Sequence, residues 1–214
     1  MDRDIGQIKL NLGCGVHTPK NWINYDSSFR VWLDRIPYVF LLGYQPRFAN
    51  WVRRFDVRKP LPFPDQSVQY IYSSHMIEHL SHFCAETLLK ECHRVLRVGG
   101  RIRLMTPNLF YSVENYLSRR TDSVLRNSAA DHFFRSLFVV EEEKHGLLTR
   151  CLHLFQNKNR HQWLYDDHSL KFFLERCGFR DVVAKDHWVS DFPDLDELEP
   201  KDLRLGSVCA EGFR

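Results

Sequence analysis

A glycine turn close to the amino-terminal end of the sequence constrains its fold most. The apolar run Ile8–Leu12 is followed directly by Gly13, Cys14 and Gly15, so a short strand leads into a Gly-x-Gly turn. Glycine has no Cβ, and two glycines let the backbone turn sharply and approach a ligand closely. Doubly wound α/β domains place their nucleotide-binding loop at this point. An ordinary glycine turn gives the same pattern, so the interpretation depends on the residues that follow.

Size and composition limit the class of protein. With 214 residues the chain can bury one good core, and we expect a single domain over residues 1–214. The formal charge of +3 is too small to indicate a nucleic-acid partner, and the six cysteines contain no Cys-x-x-Cys pair. No apolar run approaches the ~18 residues of a membrane span, and the first residues are too polar for a signal peptide. We therefore expect a cytoplasmic protein without an integral membrane segment.

Carboxylates end the next two β-prone runs. Asp26 ends the first of them, and an acidic residue at the end of the second strand accepts hydrogen bonds from ribose hydroxyls in dinucleotide-type folds. It follows Gly13 sooner than the usual ~20 residues, so the polar, proline-containing stretch between them is too short for a full helix. Asp56 lies near the end of the second run, 51–57. Both carboxylates are candidate contacts of a nucleotide-like ligand, with an ordinary turn residue as the alternative.

The middle of the chain alternates between strand and helix. Residues 68–74 predict a buried strand that runs into His75, at the edge where the strands of a parallel sheet face a ligand crevice. Residues 84–96 have the apolar spacing of a helix with one buried face, and Gly99–Gly100 is expected to stop it before a strand at 101–107. This alternation is typical of a parallel sheet covered by helices.

Two stretches fit this alternation poorly and are interpreted as insertions. The apolar insertion 27–51 must be covered by other groups. Packing in the domain's own core is favoured, and a lid over an apolar substrate or a contact in a homodimer are the alternatives. The second stretch, 111–160, contains charged and polar runs and is expected to form a cap or lid over the site.

Several segments, in this order, carry a resemblance to a known family: LNLGCG, WINYD, FDVRKPLPFPDQSVQYIYSSHMIEHL, RVLRVGGRIRLMTPNL and HQWLYDDHSLKFFLERCGF. Together they resemble a class I S-adenosylmethionine-dependent methyltransferase. More narrowly, the chain resembles small bacterial members of the methyltransferase type 11 kind, which are often placed in polysaccharide or natural-product pathways. The resemblance implies a Rossmann-like α/β fold with a seven-stranded, mostly parallel sheet, an antiparallel last strand and helices on both faces. The implied cofactor is S-adenosylmethionine.

The resemblance also implies which residues near the glycine turn bind the cofactor. Gly13 and Gly15, with Cys14 between them, would lie against its methionine and ribose parts. Asp26 would hold the ribose hydroxyls. Asn11, at a position where an acidic residue is usual, is included among the cofactor-binding residues.

Two further groups of residues receive roles from the same resemblance. Asp56 with Val57 would lie beside the adenine. Ser73, Ser74 and His75 would line the crevice near the transferred methyl group.

The chemistry of methyl transfer indicates which further side chains matter. Transfer from a sulfonium is an in-line displacement, so near-attack geometry supplies much of the rate. A base is needed only if the nucleophile must lose a proton, as a hydroxyl does. His75 is the first candidate for this base and His161 the second, with a structural histidine as the alternative for each among 11 histidines. We expect transfer to oxygen of a small-molecule or glycan-precursor acceptor.

Three other functions are weighed against this one. The segment His75–His79 matches the H-x-x-E-H pattern of zinc peptidases, in which one helical turn presents two ligands and a base. It follows directly on a strand at a nucleotide-type site, so this alternative is disfavoured and no metal is expected. An NAD(P)-dependent oxidoreductase is disfavoured because the turn lacks a third glycine. A cofactor-binding scaffold that has lost catalysis is the third alternative.

Overall fold

A computed structural model describes most of the chain. The described residues are 7–37, 48–137, 160–186, 189–199 and 206–214. The central part of each predicted insertion lies outside them, namely residues 38–47 of the apolar insertion and 138–159 of the cap. Across the described ranges, every helix is too short or too polar to cross a lipid bilayer.

Seven strands form one mixed sheet. In chain order they are β1 (Lys9–Leu12), β2 (Ile23–Asp26), β3 (Arg53–Arg54), β4 (Val68–Ser74), β5 (Leu96–Pro107), β6 (Arg180–Lys185) and β7 (Ser207–Phe213). Their order across the sheet is β3-β2-β1-β4-β5-β7-β6, with β7 antiparallel to both of its neighbours and the pairs from β3 to β5 parallel. This arrangement confirms the predicted Rossmann-like sheet. Strand order reverses between β1 and β4, the position at which open α/β sheets bind their ligands.

Helices surround the sheet. Within the described residues they are α1 (Arg30–Leu33), α2 (His82–Val95), α3 (Leu109–Thr121), α4 (Ala129–Ser136), α5 (Asp167–Arg176) and α6 (Leu195–Leu198), with short 3-10 helices at Ile77–His79 and Arg126–Ser128. The side chain of Ser81 accepts a hydrogen bond from the Cys84 amide and so caps the amino-terminal end of α2. Asp166 and Ser169 form a capping box at the start of α5.

The expectation that Gly99–Gly100 stops the second helix was wrong. That helix ends at Val95, and Leu96 is already extended and paired with Val68 of β4. The glycine pair lies inside β5, in the stretch where the β4–β5 register shifts. Strand pairing therefore ends the helix before the glycines are reached.

Neighbouring residues of β4 pack on opposite faces of the sheet. Ile71 belongs to the large core cluster that also contains Leu88 of α2. Tyr72 points to the other face and packs with Phe192 and Leu198. Because side chains alternate along a strand, one strand supplies both layers of the core.

The described part of the apolar insertion is only partly covered. Val31 is buried in a small cluster with Cys14 and Val52, as core packing requires. Phe29 and Trp32, whose ring centroids lie 5.2 Å apart, are 52% and 51% exposed. Core packing therefore holds for Val31 and does not hold for the two aromatic residues beside it.

A buried ion cluster links strand β5 to strand β7 and to the residue that follows α6. Arg103 of β5 is fully buried, and its Nε donates to Glu199 Oε1 at 2.6 Å while its Nη1 donates to Glu211 Oε1 at 2.7 Å. Burial acts to lower the pKa of Arg103, but its hydrogen bonds to Glu199 and Glu211 and the charge of Glu199 help to raise it overall. The guanidinium thus stays charged and joins β5, β7 and the residue that follows α6.

Candidate active site

The glycine turn follows β1 as predicted and is held against β2. The amides of Gly13 and Cys14 both donate to the Tyr25 carbonyl, at 2.9 and 3.0 Å. Gly13 and Gly15 have φ angles of 70° and 53°, in the left-handed region that favours glycine. A Cβ at Gly13 would lie 2.5 Å from Met76 Cγ, whereas one at Gly15 would meet nothing within 4 Å. The first glycine is therefore fixed by packing, and the second borders open space.

Asp26 lies against the glycine turn. Its Oδ2 accepts a hydrogen bond from the Gly15 amide at 3.1 Å, and its Oδ1 accepts one from the Ser28 amide at 2.7 Å. An ionised carboxylate oxygen can accept more than one hydrogen bond, so these contacts leave acceptor capacity for a ligand hydroxyl. The structure thus brings Asp26 and the turn together.

Asn11 holds the loop after the glycine turn in place through side-chain hydrogen bonds. It is 1% exposed, and its Nδ2 donates to the His17 carbonyl at 2.9 Å and to Asn24 Oδ1 at 3.0 Å. These contacts tie β1, β2 and the loop after the glycines to one buried amide. An aspartate here could not donate them, which is a physical reason for the amide at this position.

A crevice of about 210 Å³ opens between the glycine turn and the end of β4. Its lining residues are Asn11, Gly13, Cys14, Gly15, Val16, His17, Tyr72, Ser74, His75 and Leu198. Burial, reinforced by the charge of Asp26, raises the pKa of the Cys14 thiol, so this thiol stays protonated in the crevice wall. A wider and more open recess of about 450 Å³, lined by Thr18, Lys20, Asn21, Trp51 and Glu197, lacks the glycine turn and the strand ends.

Sequence reasoning missed part of this lining. Tyr72 shares a face of β4 with Ser74, two residues further on, so strand alternation could have indicated it. Leu198 comes from α6, far away along the chain, and carries no local signal.

Other predicted cofactor residues do not line the crevice. Ser73 is buried and its Oγ donates to the Leu12 carbonyl at 2.9 Å, which fastens β4 to β1. Asp56 forms a bidentate ion pair with Arg58, at 2.8 and 2.6 Å. Val57 is buried in the main core. Their contacts with a cofactor remain predictions.

His75 follows β4 directly and enters the crevice in an unusual backbone conformation. Its φ angle is 49°, a left-handed conformation that costs a non-glycine residue about 1–2 kcal/mol. Its amide donates to the Met105 carbonyl at 2.8 Å, which helps to hold this conformation. The imidazole Nε2 lies 3.1 Å from Ser207 Oγ, and the Nδ1 lies 3.3 Å from Glu78 Oε1.

Glu78 connects the two histidines that were predicted as candidate bases. Its side chain is completely buried, with Oε1 near His75 and 3.9 Å from His161 Nε2. The His161 side chain is only 4% exposed. Burial lowers the pKa of His161 against the opposing charge of Glu78, so the imidazole is mainly neutral near pH 7. His161 does not line the crevice, and it contacts the same carboxylate oxygen that lies near His75.

The helical arrangement expected of a zinc-peptidase motif is not formed. Ile77–His79 is a 3-10 helix of a single turn, and His75 precedes it in the left-handed conformation. His75 and His79 therefore do not stand one α-helical turn apart on a common face.

Comparisons with known proteins agree with this geometry. Residues 10–104 match a family model described as a methyltransferase domain. A methyltransferase dependent on S-adenosylmethionine from Mesorhizobium loti aligns with a TM-score of 0.52 and 18% identity, covering 98% of this chain and 91% of that chain. Another from Archaeoglobus fulgidus aligns with a TM-score of 0.51 and 16% identity, covering 97% and 86%. No curated protein sequence gives a significant match.

The sheet order and the glycine turn at the switch point give the Rossmann-like fold of class I methyltransferases, and residues 10–104 match a methyltransferase domain. Both findings agree with the S-adenosylmethionine-dependent methyltransferase that the resemblance implies. The family match does not support the oxidoreductase alternative. The residues present fit the cofactor, because Gly15 borders open space and the Asp26 carboxylate keeps acceptor capacity beside it.

Proposed function

We propose that the chain is an S-adenosylmethionine-dependent methyltransferase that acts on a hydroxyl oxygen of a small-molecule or glycan-precursor acceptor. The observation that carries the proposal is the position of His75, whose imidazole lines the crevice with the buried carboxylate of Glu78 behind it. A hydroxyl must lose its proton as it attacks, and a positioned histidine is the commonest group to take it.

The cofactor is held, in this proposal, by the main chain of Gly13, Cys14 and Gly15 and by the side chain of Asp26. Asn11 keeps the loop in place through its hydrogen bonds to the loop and to β2. When bound, S-adenosylmethionine supplies an electrophilic methyl group on a sulfonium. Holding the acceptor in line with that methyl group is then the main task of the crevice.

His75 handles the proton. Its Nε2, which contacts the Ser207 hydroxyl, would take the proton of the acceptor. Its Nδ1 would donate to Glu78, whose negative charge stabilises the imidazolium that forms. His161 is the second candidate base, but its side chain is buried and does not line the crevice.

The first prediction separates catalysis from cofactor binding. We expect His75→Ala to lower kcat by about 100-fold or more, because general base catalysis is lost, while affinity for S-adenosylhomocysteine stays within about 3-fold. Asp26→Ala should show the opposite pattern, with affinity reduced about 10-fold because the carboxylate contact is lost. Calorimetric titration measures affinity, and release of S-adenosylhomocysteine with sugar-nucleotide and phenolic acceptors measures turnover.

The matched control is His168→Ala, because the His168 side chain is 94% exposed on α5. It should behave as wild type in both measurements. Full turnover of His75→Ala would remove His75 as the base. Binding of S-adenosylhomocysteine without turnover of any hydroxyl acceptor would favour the scaffold that has lost catalysis.

The cytoplasmic location, the single domain over residues 1–214 and the homodimer expected from the sequence stay predictions. The exposed pair Phe29 and Trp32 gives the homodimer a specific surface to test. Light scattering of the purified protein should give twice the chain mass if that contact forms.

A further inference from the structure

Glu78 carries a buried carboxylate oxygen that accepts no hydrogen bond. Its Oε2 accepts one from the Thr106 hydroxyl at 3.3 Å, whereas Oε1 accepts none although the side chain is 0% exposed. A buried polar atom without a partner costs about 1–3 kcal/mol, and more when it is charged. Such atoms are rare in native proteins and are typical of sites that bind an ion or hold a proton.

Imidazole rings surround this oxygen. His161 Nε2 lies 3.9 Å from Oε1, and one ligand atom each of Glu78, His79 and His161 lies within 4.8 Å of the other two. Zinc bonds of about 2.0–2.2 Å place tetrahedral ligand atoms roughly 3.4 Å apart. Shifts of about 1 Å or less would therefore bring the three side chains around one ion.

Hydrogen bonds hold the two ligand-bearing segments in place. The amides of Gln162 and Trp163 donate to the Glu78 carbonyl at 2.7 and 3.2 Å, and Gln162 Nε2 donates to the His79 carbonyl at 2.7 Å. His79 Nδ1 lies 3.2 Å from the Arg160 carbonyl. A metal-ligating imidazole commonly donates its other N–H to a carbonyl in this way, which fixes the orientation of the ring.

We propose that Glu78, His79 and His161 bind one divalent transition-metal ion, with Zn²⁺ as the best fit. Two imidazoles and one carboxylate are a known ligand set of zinc sites, and imidazole favours transition metals over Mg²⁺ and Ca²⁺. Three protein ligands leave a fourth position for water. This is not the H-x-x-E-H set expected of a zinc peptidase, because His161 takes the place of His75.

The proposed ion is linked to the crevice through one carboxylate. Each oxygen of an ionised carboxylate has two lone pairs, so Oε1 can bind the ion and still accept a hydrogen bond from His75 Nδ1. Metal binding itself requires neither the cofactor nor an acceptor. It therefore goes beyond methyl transfer and can be tested separately.

Metal titration of the full chain tests the proposal. Protein stripped with a chelator is titrated with Zn²⁺ and with Co²⁺ in competition with a chromophoric chelator. We expect one equivalent per chain, and we expect His79→Ala to weaken Zn²⁺ binding about 10-fold or more because it removes a ligand. The Co²⁺ form should show the visible absorption of a tetrahedral site, and His168→Ala should bind as wild type.

Glu78→Gln provides a second variant of nearly the same size. It keeps the shape of the buried side chain and should also weaken Zn²⁺ binding about 10-fold or more, with circular dichroism confirming that it folds. Equal affinity of wild type, His79→Ala and Glu78→Gln would overturn the proposal, as would binding far below one equivalent. Binding of S-adenosylhomocysteine in the presence of chelator is measured separately, so failure of the metal site is distinguishable from failure of the methyltransferase assignment.

Discussion

Strand β5 contacts buried carboxylates at two places that differ in charge balance. Arg103 of this strand places a guanidinium between Glu199 and Glu211, and every one of these side chains is at most 2% exposed. Thr106, three residues further along, gives Glu78 only a hydroxyl. In the described part of the chain, the basic groups within 4 Å of the Glu78 carboxylate are the imidazoles of His75 and His161.

The comparison distinguishes a buried ion cluster that contains its own guanidinium from a buried carboxylate that lacks one. A buried carboxylate costs several kcal/mol to desolvate, and a paired guanidinium offsets most of that cost. The Arg103 cluster therefore joins strands without reaching the crevice. Glu78 has no guanidinium partner among the described residues, and it contacts His75, which lines the crevice. Buried ionisable groups of this kind are concentrated at functional sites.

The largest effect is expected from breaking the balanced cluster. Arg103→Met should lower the free energy of unfolding by about 3–5 kcal/mol, because two buried carboxylates lose their guanidinium. Urea denaturation measures this loss. Arg97→Met is the control, since Arg97 is exposed on the same strand, and it should change stability by less than about 0.5 kcal/mol. A loss below about 1 kcal/mol for Arg103→Met would show that the cluster does not stabilise the sheet.

A much smaller effect on stability is expected at Glu78. In the presence of chelator, Glu78→Gln should change the free energy of unfolding by less than about 1 kcal/mol or raise it, because a neutral amide costs less to bury than this carboxylate. The same urea titration measures it. A loss as large as that of Arg103→Met would make Glu78 a structural carboxylate, and the contrast between the two groups would disappear.

Asp194 gives an intermediate case, in which a partly exposed carboxylate is well paired. Burial acts to raise its pKa, but hydrogen bonds from Lys9, Trp22 and Asn21 lower it below its ordinary value of 3.8. Asp194→Ala should therefore cost about 1 kcal/mol of stability at pH 7.

The pH dependence at Asp194 has a defined sign. A lowered folded-state pKa stabilises the protein above the ordinary pKa of 3.8, and this contribution is lost as the pH falls through the folded value. The difference between wild type and Asp194→Ala should shrink below about pH 3.8, as measured by denaturation across pH. Asp196→Ala, at an exposed position of the same short helix, is the control and should show no such trend.

The local features of this fold could be predicted from the sequence. Glycines at 13 and 15 indicate a tight turn, because few other residues adopt its backbone angles. Asp26 follows at the end of the next strand. Gly99–Gly100 misled because the pairing of Leu96 in the sheet ends the preceding helix before the glycines can. Tertiary pairing overrides local propensity at that point.

The long-range contacts could not be predicted in the same way. Arg101, Ile102 and Arg103 alternate like a strand with one solvent-facing side, yet Arg103 is fully buried because its partners lie 96 and 108 residues further on. His161 and Glu78 likewise meet only through folding. The sequence therefore indicates the two candidate bases singly and not the carboxylate that both of them contact.

The contact between Gly13 and Met76 has a consequence for motion. A Cβ at residue 13 would already collide with the Met76 side chain, so the glycine turn and the segment that follows His75 are in close contact. Neither segment can move closer to the other at this point. The contact therefore sets a minimum width for the crevice beside His75.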